Sequence, residues 1–177
     1  MTALKLRHAS TQDQTPATVS RIVNLINDAY RWSEAELWVD HKERTNALEI
    51  TALIESGMII LATSNDDIDG VAKTEEVAPD IGGFGMLSTD PNSLGQGIGQ
   101  ALVNAAETWA RDAGYQEIEI EIVRGDPPNE HKQFLHQWYT RLGYVEQATY
   151  PIAERIPELA SLQRVTCVST VYRKKLR

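Results

Sequence analysis

Pro91-Asn92-Ser93-Leu94-Gly95-Gln96-Gly97-Ile98-Gly99 joins an apolar stretch to the clearest helix of the chain. Ile81 to Thr89 reads as a strand, and Asp90-Pro91-Asn92-Ser93 breaks it. From Ile98 to Ala113, the residues Ile98, Ala101, Leu102, Ala105, Trp109 and Ala113 fall on one helical face. Glu107 and Arg111 add an i,i+4 pair on the other face, and Gly114 stops the helix. A strand, a glycine-rich turn and a helix start together make an anion site. Free backbone N–H groups converge there, and the helix dipole favours negative charge. Gly95 and Gly97 permit positive φ and close approach of a ligand. The turn is not a dinucleotide fingerprint, because Gln100 holds the third glycine position, and no Gly-Lys-Ser/Thr follows as in a Walker loop. Alone, such a turn is more often a structural strand-to-helix connection.

Downstream, Tyr115 to Val123 alternates strictly, with Ile118, Ile120 and Ile122 on one face and Glu117, Glu119 and Glu121 on the other. Arg124 to Asn129 is a loop. Glu130 to Leu142 reads as a helix presenting Phe134, Leu135, Trp138 and Leu142, ended by Gly143. Tyr144 to Tyr150 reads as a strand, Pro151 to Gln163 as irregular, and Arg164 to Lys174 as the last strand. Upstream, residues 3–8 form a short strand and Thr18 to Tyr30 a helix, with Pro16 in its first turn. A second helix covers Arg44 to Ser56 and stops at Gly57. Met58 to Thr63 and Gly70 to Val77 complete the strands. Gly82, Gly83 and Gly85 crowd one strand, a sign of a bulge or of close approach by another backbone or a ligand. The order β-α-α-β-β-β-α-β-α-β-β specifies an α/β fold with one mixed sheet flanked by helices.

With 177 residues, the chain suits one domain spanning 1–177. A net charge of −8 with scattered basic residues argues against a nucleic-acid partner. No apolar stretch is long enough to span a bilayer, and the N-terminus lacks the apolar run of a secretion signal. One cysteine, Cys167, excludes an internal disulfide and a multi-cysteine zinc site. These features lead to the expectation of a soluble cytoplasmic protein with no membrane partner.

The turn, in its setting, resembles the pyrophosphate signature of the GNAT superfamily of N-acetyltransferases, Arg/Gln-x-x-Gly-x-Gly/Ala a few residues after a proline. Gly97 and Gly99 match it, and Leu94 stands where the family usually has Arg or Gln. Trp138-Tyr139-Thr140-Arg141-Leu142-Gly143-Tyr144 resembles a second family segment, aromatic-Tyr-x-Lys/Arg-x-Gly-aromatic, in the same order and spacing. The resemblance covers about Gly83 to Pro151, and the N-terminal part agrees in element order only. It implies a mostly antiparallel GNAT-like sheet, acetyl-CoA as co-substrate and acetyl transfer to a primary amine by direct attack in a ternary complex. It also makes a homodimer through the C-terminal strands unsurprising.

By that resemblance, Leu94, Gly95, Gln96, Gly97, Ile98, Gly99 and Gln100 cradle the pyrophosphate through backbone N–H groups. Leu87, Ser88 and Thr89 hold the pantetheine arm. Tyr139 takes the place of the general acid that protonates the CoA sulfur. The family often has Asn where this chain has Lys132, which makes the nearby Asn129 the candidate cofactor contact. Glu119 and Glu121 share one strand face and are candidates to deprotonate or bind the amine. Tyr30, Trp32 and Glu34 fall between the first two helices, where the family builds acceptor specificity. His131 and His136 have i,i+5 spacing, which puts them on different helix sides and argues against a metal pair. The other reading of the same fold is a non-catalytic acyl-CoA-binding sensor or interaction module.

Overall fold

The computed structural model describes residues 4–40 and 42–177. Its elements are β1 (Lys5–His8), α1 (Pro16–Ser33), α2 (Ala47–Glu55), β2 (Ile59–Ser64), β3 (Asp67–Ala78), β4 (Ile81–Thr89), α3 (Ile98–Asp112), β5 (Glu117–Gly125), α4 (Glu130–Arg141), β6 (Val145–Pro151), α5 (Ile152–Arg155) and β7 (Cys167–Lys175). The seven strands form one sheet in the order β1-β2-β3-β4-β5-β7-β6. Every neighbouring pair is antiparallel except β4 and β5, which are joined through α3 and run parallel.

Element order agrees with the sequence, while several boundaries move for local reasons. Residue 3, expected in the first strand, lies outside the described residues, and the strand begins at Lys5. Thr15 caps α1 by accepting from the Thr18 N–H at 3.2 Å, which places Pro16 at the first helical position. Asn46 caps α2 in the same way through Glu49 N–H at 3.0 Å, so Arg44 and Thr45 lie ahead of that helix rather than in it. Glu75 and Glu76 stay in the ladder opposite Gly83 and Gly82, which lengthens β3. The stretch expected to be irregular holds α5 and a 3₁₀ segment, Pro157–Leu162. Arg164 donates its N–H to Leu37 instead of pairing in the last strand, which starts at Cys167.

The sheet separates two apolar layers. On one face Ile118, Ile120 and Ile122 pack with Leu102, Val103 and Ala106 of α3 and with Tyr139 of α4. Ile22, Leu25, Ile26 of α1 and Ile50, Ile54 of α2 cover Leu61, Val71 and Met86 on the other. Gly82 is required by the first layer. A Cβ there would sit 2.9 Å from Tyr115 and 3.1 Å from Trp109, closer than side chains pack. Glu107 departs from the expected exposed pair. It is buried, and beside Arg111 it receives Lys174 Nζ at 2.7 Å and the Tyr144 hydroxyl at 3.1 Å.

Two irregularities open the middle of the sheet. Opposite the single residue Ala72, β4 inserts two, Met86 and Leu87, a bulge in which Met86 takes φ 51°. The parallel ladder between β4 and β5 has only three pairs, Ile81↔Glu117, Gly82↔Ile118 and Gly83↔Glu119. Beyond Gly83 the two strands part, and a wedge opens between them.

Candidate active site

The wedge leads into a cleft of about 1540 Å³ that extends from the glycine turn to α5. At one end Gly95 and Gly97 take φ of 77° and 78°, and a Cβ at either would meet nothing within 4 Å. The turn is therefore open on the side where a ligand would approach. Gly97 caps α3 in the left-handed conformation with no side-chain cap. The N–H groups of Gly97, Ile98, Gly99 and Gln100 have no acceptor among the described residues, so their donors and the helix dipole face outward together. Leu94 is 71% exposed at the rim. Gly99 lies against Trp138, with 3.6 Å from its would-be Cβ to the ring, so the two sequence segments that carry the resemblance touch.

Tyr139 projects from α4 to the wedge and is only 2% exposed. Its ring packs on Trp138 (centroids 4.8 Å apart), Tyr144 (5.6 Å) and Phe84 (6.2 Å). Its hydroxyl has no hydrogen-bond partner among the described residues. Burial drives the phenol's pKa well above the usual range, and the nearby Tyr30 adds to the effect. Tyr30 also lines the cleft. Burial raises its pKa too, opposed by the Arg44 guanidinium and by the Met86 N–H in the bulge. Two phenols thus flank the bulged strand.

The carboxylates of the cleft wall are already engaged. Glu119 is 6% exposed where the strands part, and its Oε2 accepts from Arg173 Nε at 2.6 Å. Glu121 accepts two bonds from Arg155 at 2.8 and 3.0 Å and one from the Ser169 hydroxyl at 2.5 Å. Burial acts to raise the Glu121 pKa, but the bonds from Arg155 and Ser169 outweigh it and the net shift is downward. Glu34 receives Lys132 Nζ at 3.3 Å and the Trp38 indole N–H at 2.9 Å. This ion pair is enclosed, and Lys132 is 5% exposed.

Most of the expected site residues therefore line one cleft: Leu87, Ser88 and Thr89, then Leu94, Gly95, Gly97, Ile98, Gly99 and Gln100. So do Tyr30, Trp32, Glu34, Glu119, Glu121 and Tyr139. Two do not. Gln96 is exposed outside the lining, and Asn129 spends its side chain capping α4, accepting from the Lys132 N–H at 2.9 Å. An Asn directly before a helix was a legible cap signal. His131 meets Trp32 edge-on at 4.7 Å across the cleft mouth, whereas His136 bonds the Tyr172 hydroxyl at 2.8 Å in a separate pocket of about 260 Å³. Cys167 is buried beside Leu37 and Ile152, and burial pushes its thiol pKa up. The sequence reading missed Arg44, Arg155 and Arg173, none of which lies in a motif.

Among the described residues no helix is long and apolar enough to cross a membrane. The sequence pattern of the Acetyltransferase (GNAT) family matches residues 19–144. A search of curated protein sequences finds no match. Solved structures share the fold at low identity. A Salmonella typhimurium protein solved with its cofactor acetyl-CoA superposes with a TM-score of 0.71 at 14% identity, over 99% of this chain and 95% of that one. An N-acetyltransferase from Staphylococcus aureus Mu50 gives 0.68 at 18% identity, over 99% of both chains. The ribosomal-protein-S18-alanine N-acetyltransferase from Escherichia coli gives 0.64 at 12%, over 98% of this chain and 94% of that one. With the family pattern covering well over half its length, on this split sheet and glycine turn, the chain belongs to the GNAT acetyltransferase family.

Proposed function

We propose that the protein transfers an acetyl group from acetyl-CoA to a primary amine by direct attack in a ternary complex. The observation that carries this reading is the unpartnered hydroxyl of Tyr139, on an otherwise buried ring, in the same cleft as the open glycine turn. The cleft fits the co-substrate in two respects. Its turn offers outward N–H groups to a pyrophosphate, and the parted strand edge of β4 offers backbone groups to an amide-bearing arm. When bound, acetyl-CoA supplies an activated thioester and a thiolate leaving group.

Gly97, Ile98, Gly99 and Gln100 hold the pyrophosphate through their N–H groups, so the missing Arg or Gln at Leu94 removes a side-chain contact and leaves the backbone cradle. Leu87, Ser88 and Thr89 align the pantetheine arm. Tyr139 gives its phenolic proton to the sulfur as the carbon–sulfur bond breaks and the carbon–nitrogen bond forms, and regains one from solvent. Its raised pKa keeps that proton in place at neutral pH. Glu119 sits where the strands part and receives the excess amine proton through water. Glu121 is a poor base, since the bonds from Arg155 and Ser169 lower its pKa. No covalent intermediate is needed, and Cys167 is outside the cleft.

Isothermal titration with acetyl-CoA, followed by a screen of primary amines for release of free CoA, tests the proposal. Binding and amine-dependent release are expected. Absence of heat at high acetyl-CoA concentration overturns the reading altogether. Binding without release for any amine points instead to a sensor or interaction module, for which the substitutions at Leu94 and Lys132 are the supporting observations.

A further inference from the structure

We infer that the acceptor is an amino acid, a primary amine carrying a carboxylate, and that Arg44 is the residue that recognises the carboxylate. This rests on the proposed acetyl transfer and specifies its substrate class. Arg44 lines the cleft, its guanidinium carbon 5.4 Å from the centroid of the Tyr30 ring. Its charge acts on the Tyr30 phenol, which in turn acts on Tyr139. Arg44, Tyr30 and the candidate general acid Tyr139 all line the same cleft.

Its position is fixed from behind. The buried side chain of Asn27 grips the next peptide, accepting from the Thr45 N–H at 3.0 Å and donating to the Thr45 carbonyl at 3.0 Å. The Thr45 hydroxyl ties the same segment to Glu49 at 2.8 Å. Such a clamp holds the backbone that carries Arg44 without using its guanidinium.

Around the cleft, Arg21 pairs with Asp90, Arg31 with Asp28 and Glu43, Lys132 with Glu34, and Arg155 with Glu121. Of the cations lining the cleft, the exposed Lys42 and Arg44 have no carboxylate partner among the described residues, and only Arg44 has the fork geometry of a guanidinium. A guanidinium offers two parallel N–H donors that match a carboxylate. Conversely, the inner-wall carboxylates Glu34, Glu119 and Glu121 are each neutralised by a cation of the chain. A cation reaching the inner wall would have to break those pairs, since the carboxylates of the cleft without a cation, Glu76 and Glu158, are exposed. A carboxylate finds in Arg44 a guanidinium that contacts Tyr30 and, among the described residues, no acidic group.

The experiment compares free amino acids, their carboxamides and polyamines in the CoA-release assay, for the native chain and Arg44→Gln. Acids should be acetylated, with carboxamides weaker by about tenfold or more in kcat/KM, as expected for losing a charged hydrogen-bonded pair. Arg44→Gln should erase that difference by raising KM for the acids, with the acetyl-CoA dissociation constant unchanged. Calorimetric binding of the acids to the CoA-loaded protein gives a readout that does not need turnover. Acetyl-CoA binding together with a preference for carboxylate-free amines, equal use of acids and carboxamides, or no binding of any amino acid overturns the inference. Failure of acetyl-CoA to bind overturns the underlying transfer reading instead.

Discussion

Replacing Tyr139 by Phe removes one oxygen and separates catalysis from packing. The ring contacts to Trp138, Tyr144 and Phe84 involve carbon atoms that Phe retains. The hydroxyl has no partner within the described chain, so its removal strands no donor or acceptor. The expected change in unfolding free energy is then below about 1 kcal/mol. A general acid commonly contributes about 10²- to 10⁴-fold, equivalent to about 2.7–5.4 kcal/mol of barrier. The variant should therefore lose kcat by about that factor while urea unfolding and calorimetric acetyl-CoA affinity stay as in the native protein. The pH profile adds a check on sign. Burial raises the pKa of this phenol, so the acid stays protonated past the ordinary value of about 10, and loss of its proton should not limit kcat below that pH. Native-like kcat in Tyr139→Phe would refute the acid role. Destabilisation by several kcal/mol would refute the claim that the hydroxyl has no structural partner.

Three further outcomes follow from the geometry. Gly97→Glu puts a side chain on a residue at φ 78°, costing about 1–2 kcal/mol of backbone strain, and adds negative charge where donors converge; calorimetry should show acetyl-CoA binding abolished in a protein that still folds, and retained binding would remove the turn from the site. Lys132→Met leaves Glu34 enclosed without its cation and should cost about 3–5 kcal/mol in urea unfolding, with Lys132→Met/Glu34→Leu recovering much of the loss; a single-variant cost no larger than for a surface pair contradicts the enclosed pairing. Asp13 should titrate at about 2, chiefly through its hydrogen bonds from Arg7, so its contribution stands above the ordinary carboxyl value of 3.8 and is lost as pH falls toward 2; NMR titration should show Arg7→Gln moving the midpoint upward, and an unmoved midpoint would dismiss the pair as its cause.

What was legible came from local pattern. The alternation of Ile118, Ile120 and Ile122 fixed which face of β5 is covered, and Gly114 and Gly143 marked helix ends by positions that take φ of 88° and 92°. Glycine turn and Tyr139 segment were visible because each is contiguous. Contacts between distant residues were not. Lys132 reads as a departure from a pattern, yet it closes an ion pair with Glu34, 98 residues away. Glu107 has the spacing of a surface pair with Arg111, and only the arrival of Lys174 and Tyr144 from the other end of the chain shows it to be buried. Met86 carries no sign of a bulge, because an apolar residue at positive φ is set by the register of β3 against β4 rather than by its own preference. The periodicity of its neighbours places Arg44 in a helix, but the cap at Asn46 starts that helix three residues later.

The three-pair ladder between β4 and β5 also bears on how the protein comes apart. Within the sheet, hydrogen bonding makes a four-stranded leaf, β1 to β4, and a three-stranded leaf, β5 to β7. They are joined by the short ladder of Ile81–Gly83 with Glu117–Glu119 and by the bonds of Gln116 and Glu117 to Asp80 beside it. Further adhesion comes from side chains of α3 and α4, through contacts such as Trp138 on Gly99 and Tyr139 on Phe84, and from the segment after α1, where Trp38 bridges to Gln163 and Arg164 donates to Leu37. A molecule lodged in the wedge would touch both leaves and act as a splice between them. At a hundred times its dissociation constant it would add about 2.7 kcal/mol to the folded state. Hydrogen exchange would then slow in both leaves together, linking the cooperativity of this sheet to the occupancy of its own gap.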